Sequence, residues 1–524
     1  MMTASQVETW QLRKPAVHGT RGLVASQHHR ASAVGAEVLA DGGNAVDAAV
    51  ATGLAIATQE PWMSGLGGGG FMLVYETARQ RVQAVDFAMV APRALDPANY
   101  PLVPGRGADL FNWPAVLEDR NLLGYPAMAA PGQVAGLALA LETFGSRPWG
   151  ELLAPAIALA RKGLSVDWYA TLKIAAAARD LTRFPASRES YLPDGFVPAG
   201  QWGSPPPVIH LGKLADTLEQ LAAAGPEDFY HGDLAASLAA DLAAGGSPLG
   251  REDLATYRAR LLAVSEGRYR DARIHYTPGL SAGPSLRHAL SALEQHWHPG
   301  ERPDAEAFGA YARALQGAYR KRLESLGAGN DPDPACTTHI SVVDRAGNLV
   351  ALTQTLLSVF GSKTVLPGSG ILMNNGIMWF DPRPGRPNSL APGRRPLANM
   401  CPTLLELPGA RRLALGASGG RRIMPALCQL ISFLVDFGMD LDEAFHQPRI
   451  DVSGTDTVVL DTALEADIRA ALNADFDTLS GPHGVYPNLF ACPNGVLIDP
   501  LGQQTGAAFI PSPWANVAHA GEAP

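Results

Sequence analysis

Two runs of β-branched and apolar residues, THISVVD (338–344) and LVALTQTLL (349–357), are separated only by Arg345, Ala346, Gly347 and Asn348. Runs of this kind on either side of a Gly-Asn turn predict an antiparallel hairpin, and a hairpin this apolar needs a larger sheet and a core around it. Its entrance is unusual. GAGNDPDPAC, Gly327 to Cys336, is built from glycine, asparagine, aspartate and proline, which predicts an exposed, flexible segment ending at Thr337. This is either an ordinary loop-to-strand junction or a place where the chain is meant to be cut, making Thr337 a new amino terminus.

The hairpin's register is open. With an even loop, Thr337 faces Leu356 and Thr338 faces Thr355; an odd loop, or a bulge, pairs Thr337 with Thr355 on one face. In either register Thr355 stands within one residue of the start of the strand.

Upstream, Ala31–Ala40 has helical spacing and stops at Gly42-Gly43, and Asn44 caps a second helix that ends before Pro61. The second helix is apolar and alanine-rich but carries Asp47 and is short, so it reads as buried scaffold rather than a membrane span. Gly65 and Gly67–Gly70 lead into a strand at Phe71–Tyr75. No phosphate-binding pattern accompanies them, so close backbone approach is the better account of these glycines. From about residue 130 to 330 the pattern is mostly helical, including an amphipathic helix at Leu152–Leu164. LALGASGGRRI, Leu413–Ile423, reads as a strand entering a Ser-Gly-Gly turn whose backbone N–H groups can converge on an oxyanion.

Composition narrows the function. A chain of 524 residues with 47% hydrophobic and 17% charged residues folds around a sizeable core. A net charge of −9 argues against nucleic-acid and anionic-membrane partners. The 13 histidines and 4 cysteines form no metal-type spacing, so no metal or cofactor is expected. The start lacks an apolar run of the secretory kind, and unpaired cysteines suit a reducing compartment, so the expectation is a cytoplasmic protein.

Taken in order, GGNAVDAAVAT, SGLGGGGFMLVY, VDFAMVAP, APGQVAGLALALETFG, TTHISVVDRAGN, FGSKTVLPGSGILMNN, APGRRPL, SGGRRI and FGMDLDEAFHQPRI resemble the γ-glutamyltranspeptidase family across nearly the whole chain. The resemblance implies an α+β fold, the four-layer αββα sandwich of N-terminal-nucleophile hydrolases. It implies a precursor that cuts itself between Cys336 and Thr337, into a large part, 1–336, and a small part, 337–524, intertwined in one domain. Thr337 matches the family nucleophile, Thr355 the threonine that orients it, and Gly419 and Gly420 the oxyanion-hole pair. The chemistry is consistent. A threonine hydroxyl needs a base within reach, and the freed α-amine, with a pKa of about 8, is one.

The substrate anchors depart from the family. Ala88 replaces the arginine that holds the donor's α-carboxylate, and Ala398 and Asn399 replace its two serines. Leu357, Gly376 and Trp379 stand where the family binds the α-amino group with an asparagine, a glutamine and an acid. Arg421 is a possible replacement anchor, although a solvent-exposed arginine is the simpler expectation. An α-carboxylate and an ammonium without partners would cost several kcal/mol to bury, so the acyl group is expected to lack the amino-acid head. The resemblance includes cephalosporin-acylase-like members, whose acyl group lacks the α-amine, as an example of such drift. The expected partners are a small-molecule amide and the two fragments of one precursor. The alternatives are a true γ-glutamyltransferase or glutathione hydrolase with rebuilt anchors, and a catalytically inactive scaffold.

Overall fold

The computed structural model describes residues 12–104, 113–326, 336–453 and 456–521. The expected exposed segment before Thr337 lies, for residues 327–335, outside the described residues. The hairpin forms, with strands Cys336–Asp344 and Leu349–Leu357. It sits in the middle of a seven-stranded antiparallel sheet, between Gly22–Ser26 on one side and Gly69–Glu76 on the other. A second seven-stranded antiparallel sheet runs Val17–Gly19, Gln504–Ala508, Cys492–Ile498, Arg411–Ser418, Thr403–Leu407, Ala272–Tyr276, Ser265–Tyr269.

Alternation along the hairpin builds the layers. Ile340, Val342, Val350 and Leu352 pack on one side into a core with Val46, Val50 and Leu54 of the helix Ala45–Gln59. Val343, Leu349 and Ala351 point the other way, against Leu404, Ala414 and Val496 of the second sheet. That sheet's outer face, with Leu405, Leu413 and Leu415, is covered by the helices Gly283–His296, Ala305–Leu326 and Ile423–Val435. The order is therefore helix, sheet, sheet, helix, the four-layer α+β sandwich expected. Both hairpin strands need apolar residues on both faces because both faces are covered. Both sheets contain strands from before and from after Thr337.

The helix Ala45–Gln59 is buried at every position and is capped by Asn44, whose side chain accepts from Val46 and Asp47 N–H. The glycine run is explained by close approach. A Cβ on Gly68 would lie 2.3 Å from the Thr355 carbonyl oxygen, and one on Gly70 2.3 Å from that of Thr353. One stretch departs from expectation. Residues 130–330 are mostly helical, as expected, except that Arg260–Ala263 closes the edge of the first sheet, and Ser265–Tyr269 and Ala272–Tyr276 the edge of the second. These strands are short, and half-exposed charged residues such as Glu266, Arg268 and Arg273 dilute their apolar pattern. No helix among the described residues is long and apolar enough to cross a membrane.

Candidate active site

The register left open by the sequence is the odd-loop one. Thr338 pairs with Gln354 and His339 with Thr353, and the ladder then shifts between Thr338 and Cys336, which pairs with Leu357. Thr337 is the residue at the shift, so the Cys336–Thr337 peptide lies where regular pairing breaks. The Thr337 hydroxyl lies 3.4 Å from that of Thr355, which in turn accepts from the Leu357 N–H at 2.8 Å. Both threonines are buried. Leu357 takes φ 86°, a left-handed conformation costly for a branched side chain.

His339 is the imidazole closest in sequence to Thr337, but it is committed elsewhere. Its Nδ1 pairs with Thr353 Oγ1 at 2.8 Å and its Nε2 with Ser341 Oγ at 3.0 Å, and burial pushes its pKa down to about 3. A Cβ on Gly416 of the facing sheet would lie 2.2 Å from the His339 ring. Gly416→Ala is therefore expected to destabilise the fold by about 1–3 kcal/mol, read as a lowered thermal midpoint. An unchanged midpoint would mean that the ring has room to move.

Four of the positions expected to line the substrate pocket come together. Ala88, Leu357, Trp379 and Ala398 fall in a single buried apolar cluster with Phe71, Met378 and Met400. Gly376 is pinned beside it by Asn374, whose Oδ1 accepts from Gly376 N–H at 2.8 Å, and its backbone packs within reach of Ala129 and Met89. Asn399 is buried and its Oδ1 accepts from Arg322 at 3.2 Å.

Gly419 and Gly420 follow the strand Arg411–Ser418 with φ 127° and 60°, backbone that glycine adopts and larger residues avoid. Gly419 lines a small cavity together with Gln27, Glu60, Ser418 and Cys492. Arg421 departs from expectation: it is 4% exposed rather than on the surface. The short 3-10 turn Gly420–Arg422 carries it inward, where the Tyr319 hydroxyl of the helix Ala305–Leu326 donates to its carbonyl.

One residue near the site was missed. Glu60 caps the C-terminal end of the buried helix, and its Oε2 lies 3.5 Å from the Thr338 hydroxyl. The available signal was a lone carboxylate between an apolar helix and Pro61. Burial pushes its pKa up from 4.5 to about 8, against the opposing pull of Lys173 and the Thr338 hydroxyl. A carboxyl raised this way stabilises the fold fully below its ordinary value and loses that contribution as pH climbs toward about 8. The thermal midpoint of Glu60→Gln should therefore gain on the parent as pH rises from about 5 to about 8. A difference independent of pH would contradict the assignment.

A family model described as Gamma-glutamyltranspeptidase matches residues 31–335 and 324–486. The acylase ACY 1 proenzyme of Pseudomonas sp. (strain V22) is 33% identical over 536 residues, covering 95% of this chain and 93% of that protein. The glutathione hydrolase proenzyme of Escherichia coli (strain K12) is 32% identical over 503 residues, covering 83% of this chain and 81% of its own length. Among solved structures, a cephalosporin acylase from Bacillus halodurans superposes with a TM-score of 0.84 at 24% identity, covering 100% of both chains.

Proposed function

Because the chain belongs to the γ-glutamyltranspeptidase family of amide hydrolases and acyl transferases, we propose that it matures by cutting itself between Cys336 and Thr337. The large part, 1–336, and the small part, 337–524, then stay intertwined as one αββα domain. The mature protein acts through an acyl-Thr337 ester on a small amide whose acyl group is not a γ-glutamyl group.

The observation that carries this reading is the Thr337 hydroxyl, set against Thr355 at the bulge that interrupts the ladder. In the precursor, Thr337 Oγ1 attacks the Cys336 carbonyl carbon, the peptide nitrogen leaves with a proton, and water hydrolyses the resulting ester. The freed α-amine then takes the hydroxyl proton during attack on a substrate amide. Gly419 and Gly420 N–H groups hold the oxyanion, the amine product leaves protonated, and water or a second amine releases the acyl group. Thr355 orients the nucleophile. The apolar setting of Ala88, Leu357, Trp379 and Ala398 supports an acyl chain without an amino-acid head.

The test is to quench the mature protein in mid-turnover on an aliphatic acyl anilide and weigh the 337–524 fragment. A mass increase equal to one acyl group, mapped to Thr337, is expected. Turnover with the adduct on another residue, or with a hydrolysis rate unaltered when Thr337 is blocked, would overturn the reading.

A further inference from the structure

On the outer side of the second sheet, the helices Gly283–His296 and Ala305–Leu326 flank a half-open cavity of about 370 Å³. The first helix contributes Arg287, His288 and Ser291, and the second contributes Lys321, Arg322 and Ser325. Both sets have the i, i+1, i+4 spacing that lies along one face of a helix. Elsewhere these helices meet through apolar residues such as Leu286, Leu290 and Leu315. Here the facing stripes are basic and hydroxylic, and among the described residues that line the cavity there is no carboxylate.

The floor is Arg322, 4% exposed. Its guanidinium donates to the Ser281 carbonyl at 2.8 Å, Ser285 Oγ at 3.3 Å, the Ala398 carbonyl at 2.7 Å and Asn399 Oδ1 at 3.2 Å. All four acceptors are neutral. A buried cation held only by neutral acceptors is costly, and an anion drawn against it offsets much of that cost. Arg287 and Lys321 are exposed at the rim, placed to add two more charges from opposite helices.

We propose that this cavity binds a small oxyanion carrying two or more negative charges, gripped by Arg287 and Lys321 above Arg322 with serine hydroxyls as further donors. Charge-assisted hydrogen bonds from several cations favour multiply charged oxyanions over chloride. The volume falls within the usual range for small-ligand sites. The occupant would stand one guanidinium away from Ala398 and Asn399, two of the expected substrate-pocket positions.

The experiment is titration calorimetry of the full chain at low ionic strength, with inorganic phosphate and with citrate as probes. Saturable binding is expected, weakened by about tenfold or more in Arg287→Gln and again in the double variant with Lys321→Gln. Both side chains are exposed, though Arg287 also bonds Tyr276, so thermal denaturation of each variant accompanies the titration. Phosphate binding tighter than citrate assigns a phosphoryl ligand, and the reverse assigns a polycarboxylate. No binding of either probe up to ~10 mM, equal affinity for chloride, or an affinity unmoved in the double variant would overturn the proposal.

Discussion

Thr337→Ala is expected to leave the chain uncut and to lower amide hydrolysis by about 10⁴-fold or more, the scale seen when a covalent nucleophile is removed. In the proposed mechanism one side chain serves both reactions: the hydroxyl would attack the Cys336 carbonyl in the precursor and the substrate carbonyl afterwards, and its base, the α-amine, would exist only once the first reaction is complete. Thr337→Ser keeps a hydroxyl and should process more slowly without losing activity altogether. The controls are thermal denaturation, because Thr337 is 3% exposed and sits at the end of a buried strand, and band pattern on denaturing gels. An alanine variant that is still cut at the same bond, or that hydrolyses amides at the parent's rate, would move the nucleophile to another residue.

The second large effect concerns the acyl group. With an aliphatic acyl anilide and a γ-glutamyl anilide of equal chain length, kcat/KM should favour the aliphatic substrate by about 10²–10³-fold. The basis is the buried cluster of Ala88, Leu357, Trp379 and Ala398. A γ-glutamyl head would bring a carboxylate and an ammonium against these side chains. Leaving them unpaired costs several kcal/mol, and each 1.4 kcal/mol is a factor of ten. Equal or better turnover of the γ-glutamyl substrate would mean that other groups pair with the head, and would restore the reading of a γ-glutamyl enzyme with rebuilt anchors.

Much of this was legible in the sequence, for identifiable reasons. The helix capped by Asn44 and the hairpin around Gly347 carry both their periodicity and their stop signals within a few residues. The register was not legible, because it depends on the loop's parity and on a bulge at Thr337, neither of which alters composition. Arg421 was expected at the surface because arginine is seldom buried, yet the turn at Gly419-Gly420 carries it beneath Tyr319. The edge strands at Arg260–Tyr276 were lost among helices because edge positions mix charged and apolar residues. Glu60 was passed over because only the fold brings it to Thr338, across 278 residues of chain. Local signals survive in the sequence, whereas contacts made between distant segments need the fold.

Intact mass and N-terminal sequencing of the purified chain, after incubation at neutral pH, test the central claim most directly. Acid is to be avoided, since Asp331-Pro332 and Asp333-Pro334 are acid-labile bonds close to the expected cut. The account predicts two fragments, the smaller beginning Thr337-Thr338-His339, and no cleavage at that bond in Thr337→Ala. A chain that stays whole for days, or that is cut at a different bond, would contradict it, because Thr337 would then have no α-amine to serve as its base.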